Sequence, residues 1–401
     1  YGIQTQFDFY PSPNHAIKFG FSGTYHEFAP GLASFRQESQ ESNDVDTAFG
    51  NRLLSSFESS IFFEDEVRLG SRVKANIGLH LSSLLVNEKL YPSLQPRLSV
   101  NYHLNNWWSA TVSYARMAQF IHLLTNSTLG IPLDLWVPAT PDAPPMRSQQ
   151  IALGNNWHTS SKSFEFSIEG YYKEMEKLIT YKEGANFTDV QQPWEDKILI
   201  DGTGKAYGLE FFVKKNNGKT TGWIGYTISK TNRQFEGINQ GEAFPYKYDR
   251  RHDASVVLLR EFSERINVSA SWVYATGNSL TFPAGTFQGL NALPNLEPTY
   301  VTYQDGLDLM DYEGRNSVKL PSYHRLDLGI NFNKKKKRGM RTWNFSVYNA
   351  YVRKNPFLIF LSTEDGYNSS LSSFTNSSQR TLGQVSAFWF VPSATYTFKF
   401  N

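Results

Sequence analysis

The chain has 401 residues, with 39 Lys and Arg against 37 Asp and Glu, and no cysteine. The near-neutral charge gives no reason to expect a nucleic-acid partner, and the absence of Cys closes disulfide and zinc-finger readings. Aromatic residues are 15% of the chain, yet Gly, Ser, Asn and Thr fill the gaps between them, where a soluble core would use Leu, Ile and Val. That mixture suits a membrane barrel, which needs aromatic girdles, apolar outward positions and polar inward ones. No window of about 18 apolar residues exists, so no transmembrane helix is expected. The chain opens directly on an alternating segment, 1–10, with no signal peptide before it, and reads as part of a longer protein.

Period-two alternation recurs along the chain and predicts about fifteen strands. In order they are 2–10, 15–28, 52–66, 72–82, 94–104, 108–117, 147–158, 162–182, 205–216, 220–232, 250–261, 266–277, 321–333, 340–352 and 391–400. Over 73–82 the apolar set Val73, Ala75, Ile77, Leu79 and Leu81 opposes Lys74, Asn76, Gly78, His80 and Ser82. Over 324–332 the set Leu326, Leu328, Ile330 and Phe332 opposes Arg325, Asp327, Gly329 and Asn331. At the end of the chain Ala394, Tyr396, Phe398 and Phe400 oppose Thr395, Thr397 and Lys399. Segments of about ten residues are long enough for a tilted bilayer crossing.

The connections are expected to alternate strictly. Short ones fall at 11–14, 67–71, 105–107, 159–161, 217–219, 262–265 and the basic run 334–339; long ones at 29–51, 83–93, 117–146, 182–205, 231–249, 277–320 and 353–391. Short periplasmic turns and long extracellular loops mark bacterial outer-membrane barrels. Trp107, Trp108, Trp157 and Trp343 sit by short turns, where a periplasmic girdle belongs. The first and last strands then run in the same direction, which makes the strand count odd. Bacterial barrels have an even number, so further strands are expected upstream, roughly seven if the total is about 22.

Several segments resemble the C-terminal barrel of TonB-dependent receptors of Bacteroidetes type. They are Pro96-Arg-Leu-Ser99, Leu129-Gly-Ile-Pro-Leu-Asp-Leu-Trp-Val-Pro138, Pro145-Met-Arg-Ser-Gln-Gln-Ile-Ala-Leu-Gly154 and Tyr207-Gly-Leu-Glu210. Further on come Tyr226-Thr-Ile-Ser-Lys-Thr-Asn-Arg233, Tyr246-Lys-Tyr-Asp-Arg-Arg-His-Asp253, Leu320-Pro-Ser-Tyr-His-Arg-Leu-Asp327 and Val347-Tyr-Asn-Ala-Tyr351. Two features depart from the pattern. No plug or TonB box is present, and Asn401 follows the terminal aromatic Phe400. The resemblance implies that residues 1–401 are the C-terminal part of an all-β, antiparallel up-and-down transmembrane barrel in the cell outer membrane. It further implies import driven by a TonB-type coupling complex acting on the plug. The substrate is an iron chelate, cobalamin, glycan or peptide, and a surface lipoprotein is a candidate partner beside bilayer and lipopolysaccharide.

Candidate sites each carry two readings. Strand parity turns Ala254, Val256 and Leu258 outward and Arg251 and Asp253 to the lumen; on the same argument Arg325 and Asp327 face the lumen. Such charges form ion pairs within the wall or to the plug, or contact substrate. Loop aromatics, among them Trp136, Trp194, Phe287 and Tyr303, either stack on sugars and flat chelates or pack loop against loop. Asp305, Asp308 and Asp311 are candidate calcium ligands without EF-hand spacing, or a solvated acidic loop. His26, Glu27 and His122 are candidate ligands of a metal or chelate at the mouth, or simple hydrogen-bonding groups. No nucleophile motif, metallohydrolase motif or phosphate loop occurs, so no enzyme and no resident cofactor is expected. The alternative to a transporter is a scaffold subunit of an outer-membrane complex.

Overall fold

The computed structural model describes residues 1–29, 33–37, 45–49, 53–125, 134–185, 193–288, 308–364, 367–368, 373–374 and 379–400. Fifteen long strands form one antiparallel sheet. They are β1 (Gly2–Ser12), β2 (His15–Phe28), β3 (Leu54–Leu69), β4 (Val73–Val86), β5 (Lys89–Asn105), β6 (Trp108–Gln119), β7 (Met146–His158) and β8 (Phe164–Tyr181). The series continues with β9 (Ile198–Lys215), β10 (Thr220–Gln234), β11 (His252–Ser263), β12 (Ile266–Ala275), β13 (Tyr323–Lys336), β14 (Gly339–Tyr348) and β15 (Val391–Phe400). Each pairs with its sequence neighbours, a two-residue strand Phe244–Pro245 adds to the top of β10, and β1 and β15 are the open edges. No helix among the described residues is long and apolar enough to cross a membrane.

The register keeps each chemical type on one face. Val67, Ala75, Val100, Val112, Leu153, Gly170, Leu209 and Ile228 form one continuous rung across eight strands. One residue along, Asn101 donates to Thr111 Oγ1 at 2.8 Å on the other face, and Asn344, Asn331 and Asn267 form an amide ladder with 2.8 and 2.7 Å bonds. Because side chains alternate at every residue, a one-residue slip would exchange these faces. Leu328, Ile330 and Tyr396 share the apolar face with Val347, Phe345 and Trp343, as the alternation predicts. Ile61, Leu79, Leu81, Leu153, Leu209 and Ile224 on that face are all exposed. A sheet surrounded by water would not present so broad an apolar surface.

Aromatic rings border this surface at both ends. Near the short turns Trp108 stacks on Trp157 at 6.3 Å, and Trp343 meets Tyr396 edge-on at 4.9 Å. Near the opposite end Tyr172 stacks on Tyr207, Tyr226 hydrogen-bonds His252 Nδ1 at 2.8 Å, and Tyr274 stacks on His324. Two aromatic bands with aliphatic residues between them match the girdled apolar belt of a barrel wall.

The connections correct the expected strict alternation at one place. β4 and β5 run on past 82 and 94 and meet in a two-residue turn, Asn87-Glu88, at the long-connection end. Both turn residues have positive φ, 46° and 61°, the conformation of a tight hairpin. Asn signals such a turn, but Glu at the second position hides it. The extra strand length is held because Leu84 and Val86 are buried with Phe120 and Ala139. Likewise β9 starts at Ile198 rather than 205, because Ile198 is buried beside Trp194. Lys334–Lys336 pair with Gly339–Arg341 inside the ladder, so only Lys337 and Arg338 turn. β14 stops at Tyr348, where Asn349 takes a φ of 57°.

The other long connections carry structure of their own. Small hairpins pair Ala33–Gln37 with Val45–Phe49, Ile121–Leu124 with Leu135–Pro138, Pro283–Gln288 with Asp308–Tyr312, and Leu358–Glu364 with Gln379–Val385. The buried clusters lie among these connections and the strand ends they cover, not within the wall.

Candidate functional site

Leu124, Val137 and Ala143 of the 120–145 connection are buried with Ile179 and Tyr181 of β8, Trp194, and Ile198 of β9. A second cluster joins Leu178 to Phe235, Ile238 and Phe244. Strand tops that would otherwise stand bare are therefore covered, and the loops gain a floor. Burial of several large apolar side chains at each cluster stabilises docking by roughly 1.5–3 kcal/mol per side chain before ordering costs.

Onto this floor the segment 244–253 lays a line of polar anchors. Lys247, only 5% exposed at its side chain, reaches Asp134 Oδ1 at 2.9 Å. The Tyr248 hydroxyl donates to the other oxygen of the same carboxylate. Burial first, and then Asp134, raise the Tyr248 phenol well above its ordinary range, so it stays a donor. Asp249, also buried, accepts from the Thr231 backbone N–H at 2.7 Å and from Lys319 Nζ at 2.9 Å. Beside Asp249, Tyr246 lies under the Arg233 guanidinium at 3.8 Å to the ring centre.

The 277–320 connection closes the arrangement. Arg315 Nη1 donates to the Tyr181 carbonyl at 3.0 Å, and its backbone N–H donates to Asn239 Oδ1. Asn316 Nδ2 donates to the Pro245 carbonyl, and its N–H donates to Thr281 Oγ1. Three connections and the tops of β8 and β10 are thus tied by polar contacts whose partners lie up to 134 residues apart. Between them a cavity of about 720 Å³ is lined by Glu183, Glu242, Glu313, Tyr312 and Arg315 among others.

A second polar group lies at the top of β13 and β14. Arg325 Nε bonds Asp327 Oδ2 at 2.9 Å, while its Nη1 donates to the Tyr348 and Tyr323 hydroxyls. Asp327 Oδ1 accepts the Asn349 N–H, and Asn349 Nδ2 donates to the Arg353 and Trp389 carbonyls. The pair therefore anchors both ends of the 349–390 connection to the wall.

Residues 1–350 match the family model described as TonB dependent receptor-like, beta-barrel. The chain belongs to that family. No curated protein matches it. Solved structures of similar fold include the closed form of the ferric-catecholate import receptor Fiu from E. coli, at TM-score 0.59 and 12% identity, covering 99% of this chain and 54% of that one. The FrpB iron transporter from Neisseria meningitidis matches at TM-score 0.56 and 14% identity, over 88% of this chain and 50% of that one. The ferripyoverdine receptor of Pseudomonas aeruginosa matches at 0.55 and 10%, over 88% and 44%. The chain spans about half the length of these structures.

Within this TonB-dependent-receptor barrel the residues singled out from sequence fall in different places. Arg325 and Asp327 come together on the polar face. Asp253 lies opposite Thr227 and Ala275 and is 3.9 Å from Arg250. Arg251 precedes β11, and its carbonyl accepts from Ser229. No described contact joins Arg251 or Asp253 to the Arg325 pair. Trp136 is 56% exposed, whereas Trp194 is 5% exposed and packs the loop floor, so of the two only Trp136 offers a ring to solvent. Phe287 and Asp308 sit on the paired strands 283–288 and 308–312, their side chains outside the described residues, and Tyr303 and Asp305 lie wholly outside them. Asp311 is exposed, and among the described residues no three His, Asp or Glu groups converge as a metal site. His26 Nε2 is 3.4 Å from Glu58, while Glu27 alternates to the other face. Sequence reading missed Asp134, Lys247, Lys319, Arg233 and Arg315. All but Arg315 and Lys319 stand inside the family-like segments, which was the one available signal.

His122 is fully buried, and neither ring nitrogen makes a hydrogen bond of normal geometry. Burial, opposed in part by the Ala143 backbone and aided by the Arg233 charge, lowers its pKa to about 4. The folded state thus takes the proton less readily than the unfolded one, whose pKa stays near 6.5. Stability of the 121–138 hairpin is full above about 6.5 and falls as pH drops toward 4, by about 2 kcal/mol at pH 5. Hydrogen exchange at Ile121–Leu124 is expected to quicken at pH 5 relative to pH 7.5 after correction for intrinsic rates. His122→Leu should remove the difference, and an equal pH effect in that variant would refute the assignment.

Proposed function

We propose that the chain is the wall and outer mouth of an outer-membrane importer whose cargo is drawn through by a TonB-type energy-coupling partner. One observation carries the reading: a family-matched antiparallel wall of fifteen strands, apolar and girdled on one face and polar on the other, with nearly all its long connections gathered at one end. On this reading the apolar face meets lipid and the polar face, with Arg251, Asp253, Arg325 and Asp327, lines the lumen. The long connections form the vestibule outside the cell. Residues 1–401 serve as the C-terminal barrel portion, a plug and further strands being supplied from upstream. The similar structures include a ferric-catecholate import receptor and an iron transporter, which supports an iron chelate as cargo ahead of cobalamin, a glycan or a peptide. The ordered segments quoted above support the Bacteroidetes type, in which a surface lipoprotein is the expected partner. The function proposed is transport, not catalysis.

The test compares three strains on the limiting nutrient. In the first, residues 289–307 are replaced by Asn-Gly, which spares the Arg315, Asn316 and Lys319 anchors. In the second, energy coupling is disabled, and in the third the whole protein is deleted. Uptake predicts that the first two lose growth in parallel while the envelope stays intact. A scaffold predicts that only the deletion shows a defect, that the defect is envelope damage, and that it appears on every nutrient; that pattern would sink the transport reading.

A further inference from the structure

Arg233 is one residue from the end of β10, on the polar face, opposite Gly204 and Phe244. Its guanidinium is held flat by the Tyr246 ring at 3.8 Å. Its Nε is buried without a hydrogen-bond partner, and among the described residues no carboxylate pairs with it. The neighbouring carboxylates are already committed, Asp134 to Lys247 and Tyr248, Asp249 to Lys319 and the Thr231 N–H. A buried or half-buried charge is ordinarily paired, since an unmatched one loses its hydration without compensation.

Further unmatched polar atoms gather at the same place. Neither His122 ring nitrogen makes a hydrogen bond of normal geometry, and the Arg233 charge acts on that ring. Arg315, whose ionisation burial disfavours and the Glu183 carboxylate partly restores, spends one nitrogen on the Tyr181 carbonyl. Ser279 is buried with its Oγ unpartnered, and its N–H bonds the Lys247 carbonyl. The segment 245–247 is therefore surrounded by donors, and among the described residues neither of the ion pairs formed there uses the Arg233 guanidinium. A planar guanidinium presents a fork that matches carboxylate and phosphate oxygens two at a time.

We infer that Arg233, set by Tyr246, is the receiving position for a carboxylate or phosphate group of a solute that enters from the long-connection side. The inference rests on the importer reading and narrows it to anionic cargo. The Tyr246 ring, 3.8 Å from the guanidinium, fixes its plane there.

The experiment titrates the purified full-length protein, by calorimetry, with citrate and with inorganic phosphate, using maltotriose as a neutral reference. Citrate or phosphate is expected to bind saturably and maltotriose not at all. Arg233→Gln should weaken the anion at least about tenfold, the size expected for loss of a charge-assisted pair of bonds, with Arg233→Lys intermediate. Retention of the parent's unfolding temperature in Arg233→Gln keeps the comparison independent of folding. Two results would overturn the inference: neither anion binding the parent, or Arg233→Gln binding as the parent does. A carboxylate of the same protein occupying Arg233 would show as no anion binding in the parent together with a lowered unfolding temperature in the variant, which also overturns it. An importer of neutral cargo would fail here yet still show the parallel growth loss described above, so the two failures are distinguishable.

Discussion

Asp134→Ala is expected to undock the 120–145 connection from its neighbours while leaving the fifteen-strand wall intact. The reason is the state in which it leaves Lys247. That side chain is almost completely buried, and its ammonium has a single carboxylate at 2.9 Å. Removing one member of such a pair strands the other in a medium that solvates it poorly, at a cost of about 3 kcal/mol or more. Tyr248 loses its acceptor at the same stroke. The readout is hydrogen exchange at Ile121–Leu124 and Leu135–Pro138, which should speed by about two orders of magnitude if opening becomes about 3 kcal/mol easier. The strands β11 to β15 should exchange as before. Combining Asp134→Leu with Lys247→Met should recover much of the protection, because an apolar pair of similar volume removes the unmet charge. Unchanged exchange in Asp134→Ala would mean that the apolar floor alone holds the loop.

The contrast between this pair and the wall explains what sequence can and cannot reveal here. Every wall strand was legible because its chemistry repeats every second residue, and that period is local. The set Leu326, Leu328, Ile330 and Phe332 identifies its own face without knowledge of any partner. Asp134 and Lys247 have no such signature, being 113 residues apart and joined only once the sheet brings their connections to the same end. Trp194 looked like any other loop aromatic, and only the neighbouring strand tops of β8 and β9 make it a core residue. Strand length failed for the same reason at β4. Alternation ends near 82, but Leu84 and Val86 extend the ladder because Phe120 and Ala139 wait for them. The charged candidates divide along this line too. Arg325 and Asp327 are two apart on one strand and pair as parity allows, whereas the group at Arg233 depends on side chains from four separated segments.

The apolar face itself gives the remaining large effect. Leu328 lies between Ala270 on β12 and Val347 on β14, two same-face positions from His324 in the upper aromatic band and three from Lys334 at the turn end. It therefore stands near the middle of the belt. If that belt lies in hydrocarbon, Leu328→Arg must either bury a guanidinium among acyl chains or distort the wall so that the side chain can reach water. The cost is about 2–4 kcal/mol near the midplane. Ser346→Arg, one strand away but on the polar face, is the matched control. Its cross-strand neighbours are Gly329 and Ser393, small residues that leave room, and its face meets water, so a cost within about 1 kcal/mol is expected. Both variants would be refolded into lipid bilayers and unfolded with denaturant, with tryptophan emission as the signal. A Leu328→Arg midpoint as high as that of Ser346→Arg would show that the face carrying Leu328 does not meet lipid. The wall would then have to be turned inside out, or removed from the membrane altogether.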